Sequence, residues 1–297
     1  MLEALWKAIL AKNPRHRSFL EAAVAGLDEA ERRELVALVA WARAEGFSIE
    51  RLAAGYNTMV LDTLREQFFF NRHGRYRYSR FEQVATRVYH DPDYMERYML
   101  GLALSSFLWP NHAAMRRHFE ATLPRDRGGT YLEVGPGHGY LLMRALELAG
   151  FDRYVGVDLS ATSIALTRSV LTHFQPAPTA LVELRCADFL EDPLEGPVAA
   201  LVIGEVLEHV ERPDRFLARI RALADADTFI HLTTCLNAPA IDHITLFEHR
   251  GQLEALFEDA GLVVEDRLLL PHSGTSLDES ERRRLPVNVA YVLRSAA

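Results

Sequence analysis

The first 125 residues carry apolar positions at helical spacing and contain no convincing strand. In one such segment Leu35, Leu38 and Val39 fall on the same face. Asp28 is placed to cap the start of this helix, and Gly46 is placed to end it. The pattern therefore predicts an all-helical region at the start of the chain.

Three further helices can be bounded in the same region. Ser48 can cap one of them, and Asp91, which stands before a proline, can cap another. The pair Trp109 and Pro110 interrupts the apolar pattern. We therefore expect one helix to end before this pair and the next to begin near Asn111.

Beyond a polar stretch at 124–130, which contains a proline and two adjacent glycines, the pattern changes. Short apolar runs rich in valine and isoleucine now alternate with amphipathic helical segments, and the chain closes on two strand-like runs. This alternation is typical of a doubly wound α/β sheet. We predict a helical cap that forms a substrate-binding region at 1–125 and an α/β domain at 126–297.

The stretch from Tyr131 to Tyr140 reads as a buried strand that runs directly into a glycine-rich turn. The three glycines Gly135, Gly137 and Gly139 allow a sharp turn and a close approach of the backbone to a ligand. A helical pattern follows. The order of strand, glycine loop and helix predicts a nucleotide-type binding site.

Acidic residues mark the ends of four predicted strands. Glu133, Asp158, Asp188 and Glu205 each stand at or just past the end of an apolar run. The carboxyl ends of parallel strands meet at one edge of the sheet, where open α/β sheets bind ligands. Asp158 is placed to accept hydrogen bonds from the ribose hydroxyls of a nucleoside, and Asp188 can face an adenine amine.

Residues 133–139 match the acid-x-Gly-x-Gly-x-Gly signature at every fixed position, and the chain from about 128 to 295 resembles the class I S-adenosylmethionine-dependent methyltransferases. A nicotinamide-dependent dehydrogenase would need the spacing G-x-G-x-x-G, which is not present here. The resemblance implies a Rossmann-like sheet of seven mostly parallel strands, whose last strand is inserted antiparallel. It also implies that S-adenosylmethionine is bound by residues at the strand ends: Glu133, Gly135, Pro136, Gly137, Gly139, Asp158, Leu159, Ser160, Asp188, Phe189 and Glu205.

The composition of the chain limits which acceptors and which cellular compartment we expect. The formal net charge of −8 disfavours a general polyanion-binding surface, so we expect no nucleic-acid partner. The two cysteines suggest neither a disulfide framework nor a zinc site. No apolar run is long enough to span a membrane, and the first residues lack a secretory signal pattern. These features predict a cytoplasmic enzyme without membrane attachment.

Two histidines are candidates for chemistry. Methyl transfer depends mainly on positioning, but a nucleophile that must lose a proton gains from a general base. One interpretation makes His209 or His243 that base, oriented by Glu208. A second makes Glu205, Glu208, His209 and His243 a divalent-metal site, since the E-x-x-E-H run resembles metal-dependent enzymes that methylate the 3′ ends of small RNAs. A third gives these residues a purely structural role, and our prediction includes no resident metal.

In many class I enzymes, helices ahead of the glycine-loop strand form the acceptor pocket. The resemblance therefore makes polar and aromatic residues of the helical cap candidates for substrate binding: Tyr56, Asn57, Trp109, Asn111 and His112. The aromatic and basic stretch from Phe68 to Phe81, with its arginines between Arg72 and Arg80, reads as a solvated loop, an anion site or a homodimer contact.

The sequence thus predicts a methyltransferase that acts on an oxygen or nitrogen of a small molecule, with carbon left open as the acceptor atom. Two alternatives remain. One is a metal-assisted RNA 2′-O-methyltransferase, and the other is a non-catalytic cofactor-binding subunit that keeps the fold.

Overall fold

The computed structural model describes residues 1–175 and 181–296. The predicted α/β range of 126–297 therefore includes six positions, 176–180 and 297, that lie outside the described residues. Among the described residues, no helix is both long enough and apolar enough to cross a membrane.

Seven helices precede the first strand, as the apolar pattern predicts. They are α1 (Leu2–Lys12), α2 (Arg17–Ala25), α3 (Glu29–Ala44), α4 (Ile49–His73), α5 (Phe81–Ala85), α6 (Pro92–Leu108) and α7 (Pro110–Thr122). The side chains of Asp28, Ser48 and Asp91 accept the capping hydrogen bonds of α3, α4 and α6. Trp109 separates α6 from α7, so these predicted boundaries are confirmed.

The described remainder of the chain alternates strands and helices. It comprises β1 (Thr130–Val134), α8 (Tyr140–Leu148), β2 (Arg153–Asp158), α9 (Ala161–Phe174), β3 (Val182–Cys186), β4 (Ala200–Gly204), α10 (Pro213–Ala222), β5 (Phe229–Leu236), α11 (Arg250–Asp259), β6 (Leu262–Leu270), α12 (Leu277–Arg282) and β7 (Val287–Ser295). A single-turn 3₁₀ helix at Leu207–His209 follows β4.

The described strands form one sheet in the order β3-β2-β1-β4-β5-β7-β6. Strands β1 to β5 are mutually parallel, whereas β7 lies between β5 and β6 and pairs antiparallel with both. The predicted fold of a seven-stranded, mostly parallel sheet with an antiparallel last strand is confirmed. The strand order reverses at β1 and β4, which places the expected ligand crevice beside their carboxyl ends.

The helical region packs on one face of the sheet, and α10 and α11 pack on the other. Helices α4 and α6 cross closely because glycines meet at the contact: a Cβ on Gly55 would lie 2.6 Å from the carbonyl oxygen of Arg97. The indole of Trp41 in α3 donates a hydrogen bond of 2.8 Å to Ser169 in α9. These contacts fix α4, α6 and α7 above the carboxyl edge of the sheet.

Candidate active site

A cavity of about 690 Å³ lies between the helical region and the carboxyl ends of β1, β2, β4 and β5. Its floor is formed by the glycine loop and the acidic strand ends, and α4, α6 and α7 contribute its walls. The wall side chains are mostly apolar and include Met59, Met95, Met99, Leu102 and Trp109. A volume of this size is typical of a small-molecule site.

The glycine loop turns as its sequence predicts. Gly135, Gly137 and Gly139 have positive φ angles of 69°, 56° and 78°. A Cβ on Gly139 would lie 2.7 Å from the Cα of Thr167 in α9, and one on Gly135 would lie 2.7 Å from a methyl group of Val206. These glycines are therefore required both by the backbone conformation and by the space around it. Gly135, Pro136 and Gly137 line the cavity, whereas Gly139 packs against α9.

Asp158 ends β2 at the edge of the cavity. Its carboxylate accepts backbone N–H groups from Gly137 at 3.2 Å and from Ser160 at 2.8 Å. Burial raises its pKa to about 6, and these two hydrogen bonds act in the opposite direction. Leu159 also lines the cavity, while the side chain of Ser160 caps α9 and lies outside it.

The other predicted strand-end residues of this group lie as expected. Asp188 and Phe189 line the cavity beyond β3, and the Phe189 ring packs against Phe216 at a centroid distance of 4.9 Å. Glu133 is buried at the end of β1, where its carboxylate accepts the hydroxyl of Tyr131 at 2.7 Å. Burial raises the pKa of Glu133 to about 7. Near pH 7, Glu133 is therefore protonated in about half of the molecules.

Glu205 is the most strained of the acidic residues. It follows β4 with a φ of 53°, a conformation that non-glycine residues rarely adopt. Its Oε1 is buried and has no hydrogen-bond partner among the described residues. Burial and the charge of Glu208 raise its pKa well above the usual range. Strain and an unpaired polar atom at one residue are typical of functional sites.

His209 lies at the polar end of the cavity, held by the loop after β5. Its Nδ1 is 3.1 Å from the carbonyl oxygen of Asp242, which can only accept, so Nδ1 carries the proton and Nε2 keeps its lone pair. The Asp242 carboxylate in turn accepts the hydroxyls of Tyr89 at 3.2 Å and Tyr98 at 3.4 Å. Burial lowers the pKa of His209, but the carboxylates of Asp242 and Glu208 outweigh it and leave the pKa raised.

His243 faces His209 edge to face, with ring centroids 4.9 Å apart. Its Nδ1 donates to the carbonyl oxygen of Ala238 at 2.6 Å, and its Nε2 lies 3.9 Å from Oε1 of Glu208. Burial, together with the neighbouring His209, lowers the pKa of His243. Glu208 is fully buried behind the cavity lining, and its Oε2 accepts the hydroxyl of Thr234 at 2.7 Å.

The four predicted metal ligands do not form one group. A helix after β4 would place Glu205, Glu208 and His209 on one face, but only the single turn Leu207–His209 is helical and Glu205 lies outside it. The described residues bring together two other sets of ligating atoms, each within 4.8 Å. These sets are Glu208, Cys235 and His243, and His209, Asp242 and His243.

Two of the predicted acceptor-pocket residues lie elsewhere, and we correct these assignments. Tyr56 is buried in the helical core between His16 and Trp109, at hydrogen-bond distances of 2.8 and 3.2 Å. Asn57 is also buried there and donates to the carbonyl oxygen of Ile9. The face of α4 that reaches the cavity is instead one to three turns further along the helix, and carries Met59, Thr63 and Gln67.

Of the three remaining candidates of the helical region, two line the cavity and one does not. Trp109 and His112 line the cavity, and Nδ1 of His112 is 2.8 Å from the hydroxyl of Ser105. Asn111 does not line it, because its amide donates to Asn288 of β7 at 3.1 Å. Burial lowers the pKa of His112 to about 4, so this histidine is neutral near pH 7.

Sequence reasoning missed the two tyrosines that hold Asp242. In the sequence Tyr98 falls on the same helical face as Met95 and Leu102, and Tyr89 lies in the loop before α6, where no periodic pattern distinguishes it. Both hydroxyls point at a carboxylate more than 140 positions away in the chain. No local sequence signal indicates such a pair.

Residues 132–230 match the family model described as a methyltransferase domain. The chain contains a methyltransferase domain. The resemblance to class I methyltransferases and the enzyme class predicted from the sequence are thereby confirmed. No curated protein sequence matches the chain significantly.

Solved structures share the fold of this methyltransferase at low sequence identity. The mitomycin 7-O-methyltransferase MmcR aligns with a TM-score of 0.57 and 18% identity over 84% of this chain and 70% of its own. A putative methyltransferase in complex with the Haloferax volcanii Trm112 activator aligns with a TM-score of 0.54 and 17% identity over 71% and 99%. Geranyl diphosphate C-methyltransferase from Streptomyces coelicolor A3(2), in complex with S-adenosyl-L-homocysteine, aligns with a TM-score of 0.53 and 16% identity over 71% and 88%.

Proposed function

We propose that this methyltransferase transfers a methyl group from S-adenosylmethionine to an oxygen or nitrogen atom of a small molecule that binds under the helical region. One observation carries the proposal. A single cavity joins the glycine loop and acidic strand ends to an apolar chamber walled by α4, α6 and α7, with His209 at its polar end.

The floor of the cavity fits S-adenosylmethionine. Gly135 and Gly137 line the cavity without a side chain, so a ligand can approach their main chain closely. Asp158 and Glu133 are placed to accept hydrogen bonds from ribose hydroxyls and from an ammonium group. When bound, the cofactor supplies a methyl group activated by its positive sulfonium charge.

The chain's own contribution is to orient the acceptor and to take its proton. His209 lines the cavity, and its Nε2 is left to take a proton from the acceptor because Nδ1 donates to the carbonyl oxygen of Asp242. A hydroxyl or ammonium acceptor hydrogen-bonded to Nε2 transfers its proton there as the methyl group arrives. The Met and aromatic walls exclude water and restrict the acceptor to orientations near the reactive geometry.

A small acceptor is favoured over RNA. The cavity is walled by helices, and two of the three arginines of its lining are already paired: Arg116 with Glu31 and Arg212 with Asp214, each at 2.6 Å. In the predicted basic cluster, Arg77 pairs with Glu66 and stacks on Phe69. Charges that are satisfied within the protein contribute little to phosphate binding.

The cytoplasm stays our proposed location, since both cysteines of the described chain are free thiols. The homodimer also stays a proposal. Phe68, the first residue of the predicted contact stretch, is 73% exposed on α4, beside the half-exposed Leu61 and Leu64. A sedimentation measurement that gives a monomeric mass would contradict the dimer.

The test of function uses S-adenosylmethionine with a tritiated methyl group and two separate acceptor pools, a small-molecule extract and total RNA. We expect label in the small-molecule pool, and much less for the Asp158→Asn variant when the cofactor concentration is below saturation. His209→Gln should lower the rate by roughly 10²- to 10⁴-fold while cofactor affinity stays the same. Label in RNA alone would refute the acceptor class, and binding of cofactor without label in either pool would favour the non-catalytic alternative.

A further inference from the structure

The buried cluster Glu208, Cys235 and His243 lies behind the acceptor end of the cavity and is not needed for the proton transfer assigned to His209. The fully buried Glu208 reaches it from the turn after β4, Cys235 from β5, and His243 from the following loop. One ligating atom from each lies within 4.8 Å of the others. The three elements therefore converge on one small volume.

One polar atom of this cluster is unsatisfied, whereas the Cys235 thiol lies 3.7 Å from the carbonyl oxygen of Ala238. Oε1 of Glu208 is buried and has no hydrogen-bond partner among the described residues, although it lies 3.9 Å from Nε2 of His243. A buried carboxylate oxygen without a partner costs several times more than a satisfied one. In the described part of the chain, Glu208 forms no ion pair with a lysine or an arginine, which leaves its charge without a cation.

The histidine of the cluster is oriented as a metal ligand. Nδ1 of His243 donates to the carbonyl oxygen of Ala238 at 2.6 Å, so the lone pair is on Nε2, the nitrogen that faces Glu208. Metal-binding histidines usually donate their other ring nitrogen to a carbonyl or carboxylate in this way. The tautomer needed for metal binding is thus already fixed by the loop.

We propose that Glu208, Cys235 and His243 bind one zinc-class divalent cation through a carboxylate oxygen, a thiolate sulfur and an imidazole nitrogen. This departs from our sequence-based expectation of no metal, and it differs from the predicted quartet, because a sulfur ligand replaces Glu205 and His209. A thiolate selects zinc over magnesium or calcium, which prefer oxygen ligands.

The nitrogen and oxygen ligands need only a small adjustment, whereas the Cys235 thiol, now 3.6 Å from Nδ1 of His243, must turn toward Nε2 to bind the ion. Two nitrogen or oxygen ligands of a tetrahedral zinc ion are about 3.4 Å apart, against 3.9 Å between His243 and Glu208 here. The thiol proton is released to solvent when the sulfur binds the ion. Cys235 and His243 both line the cavity, so a water molecule or an acceptor oxygen can take the fourth position. The ion would also tie the loop that carries Asp242 to the turn that carries His209.

The experiment titrates the full-length, chelator-treated protein with ZnCl₂ by calorimetry, and with CoCl₂ by absorbance, under a non-thiol reductant. We expect one ion per chain and a sulfur-to-cobalt charge-transfer band in the near ultraviolet. Cys235→Ser should remove the band, and both Cys235→Ser and His243→Gln should weaken zinc binding by at least about 100-fold. Cys186→Ser is the matched control, since that thiol is exposed and lies outside the cluster.

Thermal melts of each variant without metal show whether it is folded. Wild-type protein that binds no zinc, or that binds cobalt without a thiolate band, would overturn the proposal without recourse to any variant. Binding lost in Cys186→Ser and kept in Cys235→Ser would also overturn it. None of these readouts depends on methyl transfer, so the proposed function and the metal site can fail separately.

Discussion

Replacing Glu133 by glutamine should make the ligand-free protein more stable at pH 8, although the residue lies in the proposed cofactor site. Burial raises the pKa of this carboxyl from 4.5 to about 7. The folded state therefore binds the proton more tightly than the unfolded chain does. The ionised carboxylate destabilises the folded state above pH 7, and this cost disappears as the pH falls toward 4.5.

The two pKa values set the size of the effect. Linkage gives a cost of about 3 kcal/mol at pH 8, where Glu133 is ionised in the folded state, and about 1 kcal/mol at pH 5, where it keeps its proton. Glutamine carries no charge, and its carbonyl oxygen can still accept the hydroxyl of Tyr131. The variant should therefore gain roughly 3 kcal/mol at pH 8 and lose most of that advantage at pH 5.

Urea denaturation of wild type and Glu133→Gln at pH 5 and pH 8 measures both free energies of unfolding. Glu258→Gln is the control, because Glu258 is exposed and should change stability little at either pH. A variant that is no more stable than wild type at pH 8, or a gain that is equal at both pH values, would refute the reasoning. The same variant should bind S-adenosylmethionine more weakly, since it lacks the negative charge.

Three further predictions concern single positions. Gly139→Ala should lower the free energy of unfolding by roughly 2–4 kcal/mol and abolish cofactor binding, because its Cβ would lie 2.7 Å from Thr167. Its control is Gly46→Ala, which is also at positive φ but has open space around it. In a denaturation experiment this control should lower the free energy of unfolding by only about 1 kcal/mol. Cofactor affinity should fall as the pH drops from 8 to 5, since Glu133, with a pKa of about 7, and then Asp158, with a pKa of about 6, lose the charges that hold the cofactor; a calorimetric pH series that stays flat would contradict this. Tyr56→Phe should lower stability by about 1 kcal/mol and leave cofactor affinity unchanged, as measured by melting and calorimetry.

Most of the fold could be predicted from patterns of residues that are close together in the chain. The strand, glycine loop and helix at 131–148 depend on residues that are adjacent in the chain, and so do the caps at Asp28, Ser48 and Asp91. The acidic strand ends could be grouped because parallel strands share an edge. Which face of a long helix meets a cavity depends on its partners. For this reason Tyr56 and Asn57 were misplaced by one to three turns of α4.

The acceptor end of the cavity was less predictable for a related reason. His209 and His243 could be named from their positions after β4 and β5, but their ring orientations depend on the carbonyl groups of Asp242 and Ala238. Glu208 lies near Cys235 because β4 pairs with β5 in this register and because a single turn, rather than a longer helix, follows β4. Such contacts arise only when the folded loops pack together.

The central claim is that the strand ends and the glycine loop bind S-adenosylmethionine. Calorimetric titration with S-adenosylhomocysteine at pH 8 tests it most directly, with Asp158→Asn as the variant and the exposed Asp126→Asn as its control. We expect one binding site per chain. The affinity for S-adenosylhomocysteine should fall roughly 10- to 100-fold in Asp158→Asn and stay unchanged in Asp126→Asn. Wild-type protein that does not bind, or an Asp158→Asn variant that binds as tightly as wild type, would contradict it.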